Sequence, residues 1–526
     1  SEIIGLGNEA VTLDDTTLMA ATLNTLDGNT TGAVDATTLM TITGSAAHVN
    51  TAYTAGMASE IIGLGNEAVT LDDTTLAVTT LNTLDSNTTG TIDATTVTKL
   101  TGSASDVNSA YASGGVTNLD GDEAVTLSDT TLSAATLNTL DGNTTGAVDA
   151  TTVTTLTGSA ANVNTAYESM GISNLADEAV TLTDTSLAAA TLNMLDGNTT
   201  GTIDAATLTT LTGSAANANT AYASGGVTNL GDVTVILTDT TLTVATLNTL
   251  IGYSTGLVDA TTVTTLTGST TDVNTAFTAF AEGKINSLGN EAVTLTDTAV
   301  FAETVVAIDS ATSGAINATN VMALTGSASN ANSALTSAGL TNFDGDEAVT
   351  LTDTSLAAAT LNTLDGNTTG AVDAATVTTI TGTAVAIVTV AQSTSITTAA
   401  NYAATVDSDT ANVAQALILD ADTIGVVTAT ITERDLATLL ALKDANTNNA
   451  LTIIVTDPSA DAADLNSVAT VTRIAIDATA VRTITGTAAA IVITAQSDGI
   501  TTATNYAATV DSGTATVAQA LILDAA

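Results

Sequence analysis

The chain predicts a repeat solenoid of stacked parallel strands with short helices, an α/β solenoid, with an all-β solenoid as the alternative. Three observations lead there. Tyr53, Tyr111, Tyr167 and Tyr222, with Phe277 and Leu335 in the same slot, recur at one nearly constant interval inside copies of one phrase. A regular period of this kind marks a stack of similar units. Each copy reads as two coils, with strand-like alternation followed by helical spacing in each. Finally, apolar residues make up 44% of the chain but aromatics only 2%, so the core must be thin and layered from Ala, Val, Leu and Ile. Thr-Thr pairs favour strands and weaken long helices, which keeps the all-β version open.

A first family of about seven repeats, each of about 55–58 residues, fills 1–376, with units beginning near Ser1, Ser59, Gly115, Gly171, Gly226, Lys284 and Gly339. The unit from Gly115 to Met170 shows the plan. Val125 and Leu127 alternate with Thr126 and Ser128, a short strand. Asp129 is the expected N-cap of a helix whose face carries Leu132, Thr136, Leu137 and Leu140 and which Gly142 ends. The second coil has Val148 near a short strand and a Thr-rich turn through Val153 and Leu156 to Gly158. Ser159 then caps a helix bearing Ala160, Val163, Ala166 and Tyr167. In the preceding unit Ser103 and Asp106 have capping-box spacing, with Asp in place of Glu. One strand and one helix per coil would stack at about 4.8 Å per layer. The tyrosine is then a partly buried spacer with its hydroxyl at the edge.

A second family covers 377–526. Val377 to Ala421 recurs from Val481 to Ala525, a 104-residue period marked by Tyr402 and Tyr506. Both ends of the sequence fall inside repeated phrases: Ser1 to Ala10 returns as Ser59 to Ala68, and Leu521 to Ala525 matches Leu417 to Ala421. The sequence therefore reads as a segment of a longer polypeptide whose export signals and anchors lie elsewhere.

Charge narrows the function. Fifty-four acidic residues face six basic ones, a formal net charge of −48. Lys99, Lys284, Arg434, Lys443, Arg473 and Arg482 are too few and too scattered for a phosphate backbone, and an anionic membrane surface is disfavoured for the same reason. So acidic a surface resists aggregation and repels itself, a tension relieved by salt or bound cations, which suits a saline or calcium-containing exterior. Cysteine is absent, so stability must come from stacking. No apolar run approaches a membrane span, the stretch from Ala384 to Ala391 being far too short.

Catalytic chemistry finds little support, and the chain reads as a non-enzyme. The single histidine, His48, sits in a slot occupied by Asp106, Asn162 and Asn217 in neighbouring units, a drifted surface position and no general base. Paired carboxylates abound, but identical copies in every layer do not make the two unlike environments a glycosidase needs. Calcium is the cofactor the pattern admits. Asp120, Asp122 and Glu123, and again Asp344, Asp346 and Glu347, place three carboxylates around a glycine turn, a hard-oxygen set without the EF-hand or β-roll spacing. Asn29, Asn87, Asn143, Asn198 and Asn367 each begin an Asn-Thr-Thr triplet, formally a glycan acceptor, though a turn explains it equally well.

The phrases Thr136-Leu137-Asn138-Thr139-Leu140-Asp141-Gly142-Asn143 and Leu156-Thr157-Gly158-Ser159-Ala160-Ala161-Asn162-Val163-Asn164 resemble repeats in giant cell-surface proteins of marine cyanobacteria. That group includes very large proteins associated with swimming motility and other secreted, calcium-influenced surface polypeptides. The resemblance covers most of the chain and carries no catalytic residues. It implies export without a cleaved signal and residence at the cell exterior. The expectation is an extracellular structural protein that self-associates into a filament, sheath or surface layer. An adhesin stalk carrying a binding tip outside the segment is the alternative.

Overall fold

The structure is a computed structural model that describes residues 5–407 and 409–525. All strand pairs are parallel, and short helices separate them. Within the unit from residue 115 the order is β1 (Val116–Thr117), β2 (Ala124–Leu127), β3 (Thr131–Ser133), α1 (Ala134–Asn143), β4 (Val148–Asp149), β5 (Thr155–Gly158) and α2 (Ala160–Glu168). The α/β solenoid is thus the observed class. The detail differs from one strand per coil, because the first coil holds three strands and the second two. Short straight segments joined by corners wrap the coil around its thin core.

The core is a set of apolar ladders. Leu76, Leu100, Val125, Val148 and Ile172 lie side by side in successive layers, as do Leu132, Leu156, Val180, Ile203 and Val227. Val125 and Leu127 are 1% and 2% exposed, while Thr126 between them faces out, as strand alternation requires. Helix α1 buries Ala134, Leu137 and Leu140, and α2 buries Ala160, Val163, Asn164 and Ala166. Each such Leu contributes roughly 1.5–3 kcal/mol. Alanine at the other inward positions is what lets a helix lie so close to the strands.

Two steps of the ladder through β3 and β5 run from Thr131 by way of Thr155 to Ala179, and two more from Val180 by way of Ile203 to Val227. A whole repeat is also two coils, but it runs the longer distance from Tyr111 to Tyr167. Each ladder therefore slips back against the helices by a few positions per layer. After five strands it reaches a corner and ends, and a new ladder has already begun, so the described residues contain seven five-stranded sheets.

Three local expectations change. Leu156 belongs to strand β5, so the Thr-rich turn is shorter than its composition suggests. Gly142 lies inside α1, which ends at Asn143. Asp129 does not cap α1, whose N-cap Ser133 makes no side-chain cap bond. Its Oδ2 accepts instead from the Ala104 N–H at 2.8 Å, at the start of the preceding helix, Ala104–Ala112. Ser159 does cap α2, accepting from Asn162 N–H at 3.3 Å. At Ser103 the capping box is altered: its hydroxyl takes the Asp106 N–H at 3.1 Å and donates to the Asp106 carboxylate at 2.7 Å.

The described residues form two compact units, one drawn from the stretches up to 239, 246–262 and 280–287, the other from 240–245, 263–279 and the stretch from 288 on. The change of repeat family at residue 377 falls inside the second. One sheet there runs through strands Ser355–Ala357, Thr379–Gly382, Ala403–Val406, Val427–Thr430 and Ala450–Thr452. The helix Ala384–Gln392 recurs as Ala488–Gln496 after three intervening helical segments, so the longer rhythm of the second family is four coils.

Candidate functional site

The recurrent polar chemistry of the chain lies between coils. At its centre is the tyrosine. The Tyr111 hydroxyl is not at the edge as expected: it donates to Glu123 Oε2 at 2.8 Å. Tyr53 meets Glu67 at 3.1 Å and Tyr167 meets Glu178 at 3.2 Å in the same way. Glu123 is 1% exposed. A carboxylate buried this deeply requires donors, and it receives the Asp120 N–H at Oε1 (3.0 Å) and the Gly121 N–H at Oε2 (3.1 Å). The predicted calcium set is therefore split. Asp120 and Asp122 are exposed to solvent, while Glu123 turns inward and holds its own turn closed. Asp344, Asp346 and Glu347 repeat this, with Asp344 and Asp346 exposed, Glu347 1% exposed, and Glu347 Oε1 accepting the Asp344 N–H at 3.1 Å. Among the described residues no three His, Cys, Asp or Glu side chains are grouped so as to hold a metal ion.

The last two Tyr slots lack the hydroxyl, with different outcomes. Leu335 replaces tyrosine, and Glu347 Oε2 is buried without a hydrogen-bond partner. Burial raises the Glu347 carboxyl above its ordinary pKa, with Asp346 adding to the effect and the amides of its own turn offsetting part of it. Phe277 fills the slot in the unit of Glu291, whose Oε2 takes two turn amides, from Gly289 at 2.7 Å and Asn290 at 3.1 Å. Tyr222 faces Val233, and its hydroxyl finds Ser254 Oγ (3.3 Å) and the Val233 carbonyl (3.4 Å) instead. In the second family Tyr402 donates to Asp422 at 2.7 Å. Burial pushes the paired phenols up, that of Tyr167 to about 12.

The Asn-Thr-Thr-Gly phrase is the other half of this junction. Thr144 is buried, and its hydroxyl donates to the Glu123 carbonyl at 2.8 Å. The Thr145 hydroxyl donates to the Gly121 carbonyl at 3.0 Å. Gly146 follows because nothing larger fits: a Cβ there would lie 2.3 Å from the Glu123 carbonyl oxygen. Asn143 Nδ2 donates to Asn108 Oδ1 at 2.9 Å, so the nitrogen that a glycan would need is already engaged between helices. Asn87, Asn198 and Asn367 are held likewise, by Asn50, Asn164 and Asn332.

An asparagine ladder runs along the helix row. Asn108 donates to the Thr136 carbonyl of α1 (3.1 Å), Asn138 of α1 to the Asn162 carbonyl of α2 (2.9 Å), and Asn164 of α2 to the Thr191 carbonyl (3.3 Å). The same bonds link Asn362 to Ala386 and Asn466 to Ala490. Sequence reasoning missed this ladder. Its signal is an Asn at matching helix positions in both phrases, Leu-Asn-Thr-Leu and Val-Asn-Thr-Ala. On the strand side, Asp149 Oδ1 accepts from Thr151 Oγ1 (2.6 Å) and from Asn174 Nδ2 of the next coil (2.8 Å). The Thr151 hydroxyl and then the Asn174 amide hold its carboxyl below the usual range. Asn174 has φ +65°, a conformation Asn tolerates better than most residues.

His48 is exposed, its Nδ1 3.0 Å from the Ser45 hydroxyl that caps its helix. No helix of the described residues is long and apolar enough to cross a membrane. No family model matches the chain, and no curated protein matches it. Among solved structures, the leucine-rich-repeat ectodomain of a plant membrane receptor kinase from Arabidopsis thaliana is 10% identical, over 96% of this chain and 67% of that chain, at a TM-score of 0.15. A likeness that low carries no argument, and the solenoid stands on its own pairing pattern.

Proposed function

We propose that this chain is an extracellular structural repeat protein that builds a filament, sheath or surface layer by stacking and self-association. One observation carries the reading. The polar side chains that a catalyst would hold free, namely the inward Glu, Tyr, Asn and Thr of the repeated units, are each tied by at least one hydrogen bond within or between adjoining coils at most repeats, Glu347 Oε2 and Glu67 Oε1 being left without a partner. Such a junction resists separation of layers, and its repetition makes each unit a mechanical element. The outward carboxylates remain as a surface that takes calcium and other cations as a diffuse screen. The likeness to giant surface proteins of marine cyanobacteria and the acidic, cysteine-free composition support an exterior location. Negative-stain imaging tests the proposal. Fibres or sheets that form from the chain in saline support it, and monodisperse compact particles at every protein and salt concentration overturn it.

The junctions also favour a second reading, an adhesin stalk. Bonds that run from coil to coil bear axial load whether or not copies associate. Force spectroscopy showing stepwise unfolding of single chains, with no association in solution, would select the stalk over the layer.

A further inference from the structure

Four of the six basic residues, Arg434, Lys443, Arg473 and Arg482, fall within residues 434–482 of this strongly acidic chain. All four are exposed. Among the described residues the one ion pair is Lys284–Glu282, at 2.9 Å, so none of the four is in a direct ion pair with a carboxylate of its own chain; Arg482 donates to Asn505 Oδ1 at 3.2 Å. Three carboxylates of the same segment are engaged by the backbone, while Asp444, next to Lys443, is exposed. Asp457 accepts from Leu436 N–H (2.7 Å), Asp435 from Thr438 N–H (2.9 Å) and Asp461 from Ala463 N–H (2.8 Å).

The coil geometry places the cations at two corners. The Arg434 carbonyl accepts from Thr456 N–H and the Pro458 carbonyl from Arg482 N–H, both at 2.9 Å. Arg434 and Arg482 thus stand at one corner, before the helices, two layers apart. Lys443 lies in the 3-10 turn Leu440–Asp444, and Arg473 follows the helix Ala462–Ala469, so both stand after the helices. A complementary feature recurs in the first family, where the turns at Asp120-Gly121-Asp122 and Asp344-Gly345-Asp346 each expose two carboxylates.

We propose that residues 434–482 form the surface through which one copy docks on another, the four cations seating on outward carboxylates of repeat turns such as Asp120/Asp122 and Asp344/Asp346 of the second copy. This rests on the reading of the chain as self-associating. Between two bodies this acidic, repulsion opposes approach at most orientations, and cations without an ion pair of their own select the one at which it reverses.

Sedimentation velocity on the whole chain tests it. Association is expected at about 150 mM NaCl, where the net repulsion between copies is screened, and should weaken roughly tenfold or more by about 1 M, where the close ion pairs are screened too. R434Q/K443Q/R473Q/R482Q should lose at least about tenfold in affinity at about 150 mM NaCl. The charge-preserving R434K/K443R/R473K/R482K, and K99Q/K284Q outside this segment, should associate as the parent does. D120N/D122N/D344N/D346N should show the same loss from the other side, and circular dichroism checks that each variant is folded. If the quadruple Gln variant associates normally, this docking surface is wrong while self-association stands. If the parent chain associates at no salt concentration, the reading beneath it falls as well.

Discussion

Replacing Leu335 by tyrosine should supply the donor that Glu347 Oε2 lacks and that the same oxygen receives in three sister units, although Glu67 keeps its other oxygen, Oε1, unpartnered beside Tyr53. Glu347 is 1% exposed and its Oε2 has no partner, whereas in three sister units a phenol donates to this oxygen, at 3.1, 2.8 and 3.2 Å. An unsatisfied buried polar atom costs about 1–3 kcal/mol, and a hydrogen bond to a charged group contributes about 1.5–3 kcal/mol. Because position 335 is half-buried and the phenol must be fixed in one rotamer, about 1–2 kcal/mol is expected for Leu335→Tyr. Repeat arrays unfold in segments, so a global melt dilutes the effect. Native-state hydrogen exchange at the Asp344 amide, the donor to Glu347 Oε1, reads it directly and should slow by roughly fivefold to thirtyfold.

The pH dependence adds a second reading. A carboxyl raised in the folded state contributes stability that is fully present below its unfolded pKa, about 4.3, and is lost as pH rises through the folded value. In the parent chain the 344–347 turn should therefore loosen from about pH 4.3 upward through that folded value, after correction for intrinsic exchange. Leu335→Tyr should flatten the dependence, because the new donor favours the charged form. Unchanged or faster exchange at Asp344 in the variant, at all pH values, would refute the role assigned to the hydroxyl.

Other outcomes follow from the same geometry. Gly146→Ala should destabilise its coil by about 1–3 kcal/mol, since its Cβ meets a backbone carbonyl at 2.3 Å, while Gly142→Ala, inside a helix with open space around it, should stabilise by about 0.5–1 kcal/mol; equal melting of the two variants would contradict this. The Tyr167 phenol is pushed up from 10.0 to about 12, so its contribution is intact below the lower value and lost as pH rises through the higher one. Tyrosinate absorbance should accordingly appear late and together with loss of helical circular dichroism. Removing salt or divalent cations should lower the melting midpoint as carboxylates in successive layers lose their screening; melting unchanged in EDTA and in the absence of salt would contradict that.

Periodicity alone determined much of this protein. The recurrence at Tyr53, Tyr111 and Tyr167, the alternation at Val125 and Leu127 and the Ser159 cap are local features, and local physics sufficed to place a two-coil repeat with inward Val, Leu and Ala. The candidate site was less legible. Glu123 beside Asp120 and Asp122 looks like a cation ligand when read along the chain, because sequence order puts the three carboxylates together. Only the tertiary structure decides that Glu123, just before strand β2, turns inward, towards the Tyr111 hydroxyl behind it in the chain and with its own carbonyl held by Thr144 further on. Asp129 was misplaced for the same reason, since the amide it caps belongs to the previous coil. The partners of the threonines and asparagines were hidden too. A side-chain hydrogen bond from one coil to the next, such as Asn138 to the Asn162 carbonyl, leaves no mark in the local pattern, and the ladder step that fixes such partners differs from half the repeat. The sequence thus sets the shape of a layer. How each layer is fastened to the next depends on which polar groups stacking brings within reach, because those groups lie far apart along the chain and meet only when the coils are stacked.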